Sequence, residues 1–160
     1  MPFGLSFFYL PKVYSPSSTT YTRFGVYAGS NAVVAGSAGS TAGTTTTSPC
    51  VGVEVRSDGS FYGFTFTGGS FTYYSLGYTT SDSGNNGGAM HAVDIFYDPI
   101  SQAIEWWVQR SLMLRQTGLS LSTSYAPTNG WGLCQLTAGN TAGSTYPGDA
   151  IVQNAYLYFP

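Results

Sequence analysis

The residues best placed to do chemistry are two carboxylates, a single histidine, and tyrosines and tryptophans set among glycine, serine and asparagine. Asp94 and Glu105 lie in two segments, His91-Ala92-Val93-Asp94-Ile95-Phe96-Tyr97 and Gln102-Ala103-Ile104-Glu105-Trp106-Trp107-Val108, on either side of Asp98-Pro99-Ile100-Ser101. Pro99 suits the second position of a turn. A hairpin with Asp98 facing Ser101 sets Ile95 against Ile104, Val93 against Trp106 and His91 against Val108. The larger aliphatic side chains then share one face, which supports that register. Asp94 stands directly opposite Glu105 on the other face. Two carboxylates so placed repel unless they share a proton or bind a cation. The candidate acidic pair Asp94 and Glu105 therefore reads three ways: a calcium site, a glycosidase-like acid pair with its carboxyls about 5 Å apart, or a register slip that separates them. A shifted register or solvated carboxylates is the default.

Tyr73, Tyr74, Tyr78, Trp107 and Trp131 sit in or beside Gly/Ser/Asn-rich turns. Exposed, their rings would stack on the apolar face of a sugar while neighbouring amides bond its hydroxyls. Buried, they are core. In the hairpin above, Trp107 shares the side away from the core with Phe96, Ala92 and Ala103. An apolar patch there needs covering, by a subunit interface or by a ligand. The interface is the favoured reading for Trp107.

Other catalytic signatures are missing. With one histidine, His91, a zinc cluster of Cys/His type cannot form, and no cofactor or metal is expected. The hairpin turns His91 toward the core, as a structural residue. No Gly-x-Ser-x-Gly elbow occurs, and the Ala-Gly-Ser run lacks a Gly-Lys-Ser/Thr ending for phosphate. Cys50 and Cys134 could pair, but two buried thiols acting as small hydrophobes is the favoured reading.

These residues need strands to position them. Cys50-Val51-Gly52-Val53-Glu54-Val55-Arg56 puts three valines on one face and Gly, Glu and Arg on the other. A turn at 57–60 with Asp-Gly chemistry leads to a return strand with Tyr62, Phe64 and Phe66 in phase. Further strands are expected over 71–78, 131–137 and 150–159. Residues 104–115 also fit a helix by spacing, but the strand-like surroundings favour two strands. Residues 28–48 hold Ala-Gly-Ser and Thr-Thr-Thr-Thr runs, an arm that either moves freely or lies against a neighbour.

Composition bounds the class. Twelve of 160 residues are Asp, Glu, Lys or Arg, and Lys12 is the only lysine. Average chains carry about a quarter charged residues. Twenty Ser, 19 Thr and 21 Gly must cover much of the surface instead. So little charge repulsion suits a part fixed in an assembly or a secreted module. The net charge of −2 and scattered arginines argue against nucleic acid, and no segment is suited to membrane insertion. The apolar N-terminus lacks a basic lead-in and meets Pro11 and Pro16, so it is a poor signal peptide.

Val51-Gly52-Val53-Glu54, Ala92-Val93-Asp94-Ile95 with Ile104-Glu105-Trp106, and Ala155-Tyr156-Leu157-Tyr158-Phe159 together resemble the concanavalin-like jelly rolls, the SPRY group included, over about residues 50–160. Pro99-Ile100-Ser101 stands where that group has a turn glycine. The resemblance implies a two-sheet sandwich with a binding or structural role, and it carries over no ligand residue. In overall character the chain is similar to bacteriophage decoration, collar and tail-fibre proteins. The expectation is thus all-β: one antiparallel two-sheet β-sandwich of jelly-roll type over residues 1–160. Its expected function is non-enzymatic, as a structural component of a phage virion (head decoration or tail fibre) assembled in the host cytoplasm. It would act as a homo-oligomer, a trimer by analogy, bound to other virion proteins. The alternative is a lectin-like module, on a virion or secreted, that recognises a glycan.

Overall fold

The computed structural model describes residues 2–12, 21–28, 50–56, 58–67, 70–80, 89–119, 121, 131–133, 137–139 and 149–160. They form β1 (Phe3–Lys12), β2 (Tyr21–Ala28), β3 (Cys50–Arg56), β4 (Ser60–Thr67), β5 (Ser70–Thr79), β6 (His91–Asp98), β7 (Ala103–Val108), β8 (Ser111–Gln116), β9 (Trp131–Leu133), β10 (Thr137–Gly139) and β11 (Asp149–Tyr158). The first sheet runs β11-β1-β6-β7-β8. The second runs β10-β2-β3-β4-β5, with β9 also on β2. All pairings are antiparallel. The expected two-sheet jelly-roll sandwich is the fold.

The core between the sheets follows the period of two in the sequence. Val51, Val53 and Val55 of β3 face Val93, Ile95, Ile104, Trp106 and Val108 of the hairpin, all wholly buried. Phe3, Leu5, Phe7 and Tyr9 of β1 join them. The N-terminal segment, singled out in the sequence only as a poor leader, is thus a central strand: β1 lies between β11 and β6. Large apolar residues alternate with Gly4 and Ser6, and Phe8 keeps the same outward phase, which explains the strand.

One side chain locks the sheets together. Trp106 on β7 reaches across to β4, where a Cβ on Gly63 would stand 2.5 Å from the indole. Only a residue without a Cβ admits the ring. The indole Nε1 donates to the Gly52 carbonyl oxygen at 3.0 Å, and Tyr74 packs on the ring at a centroid distance of 5.4 Å. The buried donor is therefore satisfied.

The 104–115 ambiguity resolves as two strands, β7 and β8. The turn between them puts Gln109 at φ 52° and Arg110 at φ 65°, the left-handed pair of a two-residue hairpin turn. Gln109 N donates to Ala92 O at 2.8 Å, which ties that unusual turn to β6.

Within and just beyond the expected 131–137 strand, the described residues form β9 and β10, both paired with β2. The 28–48 arm and Cys134 fall outside the described residues, apart from Ala28 at the end of β2. Cys50 is buried beside Phe64, Phe66 and Phe71.

Candidate functional site

The β6–β7 hairpin is slipped by two residues from the expected register. Asp94 pairs with Trp107, Ile95 with Trp106, Phe96 with Glu105, and Asp98 with Ala103. The turn is the cause. Asp98 Oδ1 accepts from Ile100 N at 2.9 Å, and Oδ2 accepts from the Ser101 hydroxyl at 2.6 Å. Gln102 completes the loop at φ 51°. Four residues, not two, close the hairpin. These bonds to the ionised form hold the Asp98 carboxyl below its ordinary range.

A slip of two keeps every side chain on its face but changes its partner. Asp94 and Glu105 are therefore not directly opposed: of the three readings of the candidate acidic pair, the register slip that separates them is the one observed. Glu105 instead takes an indole and a guanidinium. Trp107 Nε1 donates to Oε2 at 3.1 Å, and Arg115 Nε lies 3.6 Å from Oε1. Among the described residues, no group of three or more His, Cys, Asp or Glu could hold a metal.

The outer face of the first sheet now reads as two rows crossing the strands. One runs Tyr156 (β11), Ser6 (β1), Asp94 (β6), Trp107 (β7) and Leu112 (β8). The next runs Tyr158, Gly4, Phe96, Glu105 and Arg115. With strands about 4.8 Å apart, each row sets two aromatic rings and two polar groups side by side across the sheet. Tyr156 is 65 % exposed, and Tyr158, Phe8 and Leu112 are exposed as well. Tyr158 lies over Gly4, where a Cβ would meet its ring at 2.2 Å. Its ring meets Phe96 edge-on at 6.3 Å. Partial burial and the nearby Asp94 charge raise its phenol pKa, against a hydrogen bond with Ser6. Beside Tyr156, Asp94, Ser6 and Phe8 line a depression of about 500 Å³. A second, of about 320 Å³, opens beside Phe96, Glu105 and Arg115.

The remaining aromatic candidates separate. Tyr74 and Tyr78 pack against the core from the inner face. The Tyr78 hydroxyl bonds His91 Nδ1 at 3.0 Å, and the imidazole also meets Phe61 edge-on. His91 is thus buried and faces the core, as expected, since a slip of two keeps its face. Trp131 begins β9, paired with Ala28, and its side chain lies outside the described residues. Trp107 and Phe96 share the first sheet's outer face, half-buried.

Tyr73 belongs to a different place, the outer face of the second sheet. There the pairing Arg23↔Glu54↔Tyr62 assembles a cluster that no local motif announced. Glu54 is wholly buried. Its Oε2 accepts from Arg23 Nε and its Oε1 from Arg56 Nε, each at 2.7 Å. Arg23 Nη2 donates to the Tyr73 hydroxyl at 2.6 Å, and the Arg23 guanidinium lies over Tyr21 and Phe71 at 4.1 and 4.4 Å. The Arg56 guanidinium stacks on Tyr62 at 3.7 Å. Burial, then the Glu54 charge, pushes the Tyr73 phenol pKa well up. The one legible signal was the alternation in β3, which sets Glu54 and Arg56 on one face. Arg23 required the long-range pairing of β2 with β3.

No family model matches the sequence, and no curated protein does. Among solved structures, the fold is similar to a β-glucanase of Bacillus licheniformis. The TM-score is 0.57 at 18 % identity, covering 100 % of this chain and 67 % of that one. It is also similar to the carbohydrate-binding module CBM66 of Bacillus subtilis, with a TM-score of 0.50 at 8 % identity, covering 98 % and 74 %. Sheep galectin-11 gives a TM-score of 0.48 at 12 % identity, covering 98 % and 90 %. At these identities the likeness to the glucanase and to CBM66 is one of architecture, and it agrees with the strand order above: the chain is a jelly-roll β-sandwich.

Proposed function

We propose that this protein is a carbohydrate-binding module that takes a glycan on the outer face of its first sheet. The observation that carries the reading is the row Tyr156–Ser6–Asp94–Trp107. Two rings about three strand spacings apart flank a hydroxyl and a carboxylate. Sugar rings offer an apolar face for stacking and a rim of hydroxyls for such polar groups. The depression beside Tyr156 gives the ligand a seat. That two of the similar folds are a carbohydrate-binding module and a glucanase supports this reading over a virion part, which rests on composition alone. Binding is favoured over hydrolysis, because both Glu105 oxygens already meet Trp107 and Arg115. The low-charge surface suits a secreted setting or the outside of a particle.

The test is a glycan array followed by calorimetry on the best hit. Tyr156→Ala and Trp107→Ala should each weaken binding about tenfold, the order of one lost stacking contact, with an unchanged circular dichroism spectrum. An array blank across neutral and acidic glycans would refute the reading. So would a hit indifferent to both variants.

A further inference from the structure

The geometry points to a second ligand site, on the other sheet, in which Arg56 receives the carboxylate of an acidic saccharide. Arg56 ends β3, and its side chain is 24 % exposed while its partner Glu54 is wholly buried. Its Nε is committed to Glu54 Oε1, and its plane lies on the Tyr62 ring. Among the described residues, its two terminal amino groups make no hydrogen bond. A free arginine fork loses rotamer freedom when it binds. Here the ion pair and the ring have already fixed it.

The charges argue for an anion. Among the described residues, Arg23 and Arg56 pair with one carboxylate, Glu54, and Arg56 shares it with a guanidinium that is already closer to full burial. Asp58 in the following turn does not serve as the counter-ion by any bond to Arg56: its carboxylate accepts from Ser60 N at 2.9 Å. The guanidinium end presents two parallel N–H donors, the arrangement that takes a carboxylate bidentately. Tyr62 and the half-buried Tyr73 stand beside it, and Ser75 lies across from Tyr62 on the same face, exposed. A sugar ring bearing a carboxylate meets all three: the fork takes the acid, an aromatic edge takes the ring, and the hydroxyl takes a ring hydroxyl. The anion preference stands by itself, whereas the saccharide part rests on the glycan reading above.

The experiment is an NMR titration of arginine-labelled protein with glucuronate, with glucose and acetate as controls, following the Arg56 Nε–Hε signal. Glucuronate should shift that signal saturably, glucose should leave it in place, and acetate should bind at least tenfold more weakly. Arg56→Lys keeps the charge and loses the fork, so calorimetry should show glucuronate affinity down about tenfold. Arg56→Gln should abolish it, while Glu54 stays paired with Arg23 and the fold persists. No shift with glucuronate at tens of millimolar, or undiminished binding by the Gln variant, overturns the site. Acetate binding as tightly as glucuronate overturns the saccharide assignment. The Arg56 response should survive in Trp107→Ala; its loss there would overturn the claim of a separate site. An array hit indifferent to Tyr156→Ala and Trp107→Ala, with an intact Arg56 response, would sink only the first-sheet reading.

Discussion

Glu105 meets Arg115 at 3.6 Å on the outer face of the first sheet, with both side chains partly exposed, whereas Glu54 meets Arg23 at 2.7 Å on the outer face of the second, with neither reaching solvent. Both pairs join neighbouring strands of a sandwich. They differ in what surrounds them. The first sheet's outer face leaves rings and carboxylate open to a ligand. The second buries Phe64, Phe66 and Phe71 with the Arg23–Glu54 pair, and among the described residues leaves the Arg56 end and Ser75 to water. The first is an open face of mixed rings and polar groups, the second a largely buried one whose arginine end reaches solvent.

The strongest way to break this contrast is to neutralise each glutamate. Glu54→Gln strands the Arg23 charge in a buried place and should cost roughly 3–5 kcal/mol. Glu105→Gln should cost well under about 1 kcal/mol, since the pair is exposed and screened. Urea unfolding of both variants measures the difference, and equal losses would erase the distinction.

Next in size are two glycines that each lie under a ring. Gly63→Ala drives a methyl into Trp106, which is held by its bond to Gly52, and should cost about 2–3 kcal/mol. Gly4→Ala meets Tyr158 just as closely, but that ring is 41 % exposed and can swing outward. Its cost should stay near 1 kcal/mol or below. Thermal melts of the two variants rank them.

Alkaline pH sharpens the comparison from the tyrosines. Tyr9 is buried with its hydroxyl donating to Thr22, and both Tyr9 and Tyr73 have phenol pKa values raised first by burial. The unfolded chain loses these protons near pH 10, while the folded chain keeps them. Stability from these groups is therefore complete below about pH 10 and falls as pH rises beyond it. Urea midpoints across pH 8 to 11 should decline, and Tyr73→Phe should flatten the decline. A slope indifferent to that substitution would contradict the assigned burial.

The smallest effect lies at the Gln109-Arg110 turn. Replacing the two residues with Asn-Gly, which accept positive φ readily, should raise stability by about 1 kcal/mol. A thermal melt checks this.

Much of the fold was legible because alternation survives in single segments. Val51, Val53 and Val55, or Val93 and Ile95, declare a buried face without reference to any partner. β1 carried the same signal less plainly, because Phe8 follows Phe7 and interrupts the alternation. The candidate sites were less legible. Trp107 and Phe96 were visible as an outward patch, but Tyr156, Ser6 and Arg115 join them only through pairings across β11, β1 and β8. Tyr73, Tyr74 and Tyr78 looked alike as neighbours in sequence. Two face the core, and one meets an arginine fifty positions away.

The sequence by itself determined the class of fold and which side of most strands is apolar, because side-chain direction along a strand has a period of two. Tertiary structure decided who meets whom. A two-residue slip leaves every face intact, so local pattern could not separate Asp94–Glu105 from Asp94–Trp107; the bonds that Asp98 makes in its turn did. Arg23 reaches Glu54 only when β2 pairs with β3, and that register is a property of the whole sheet.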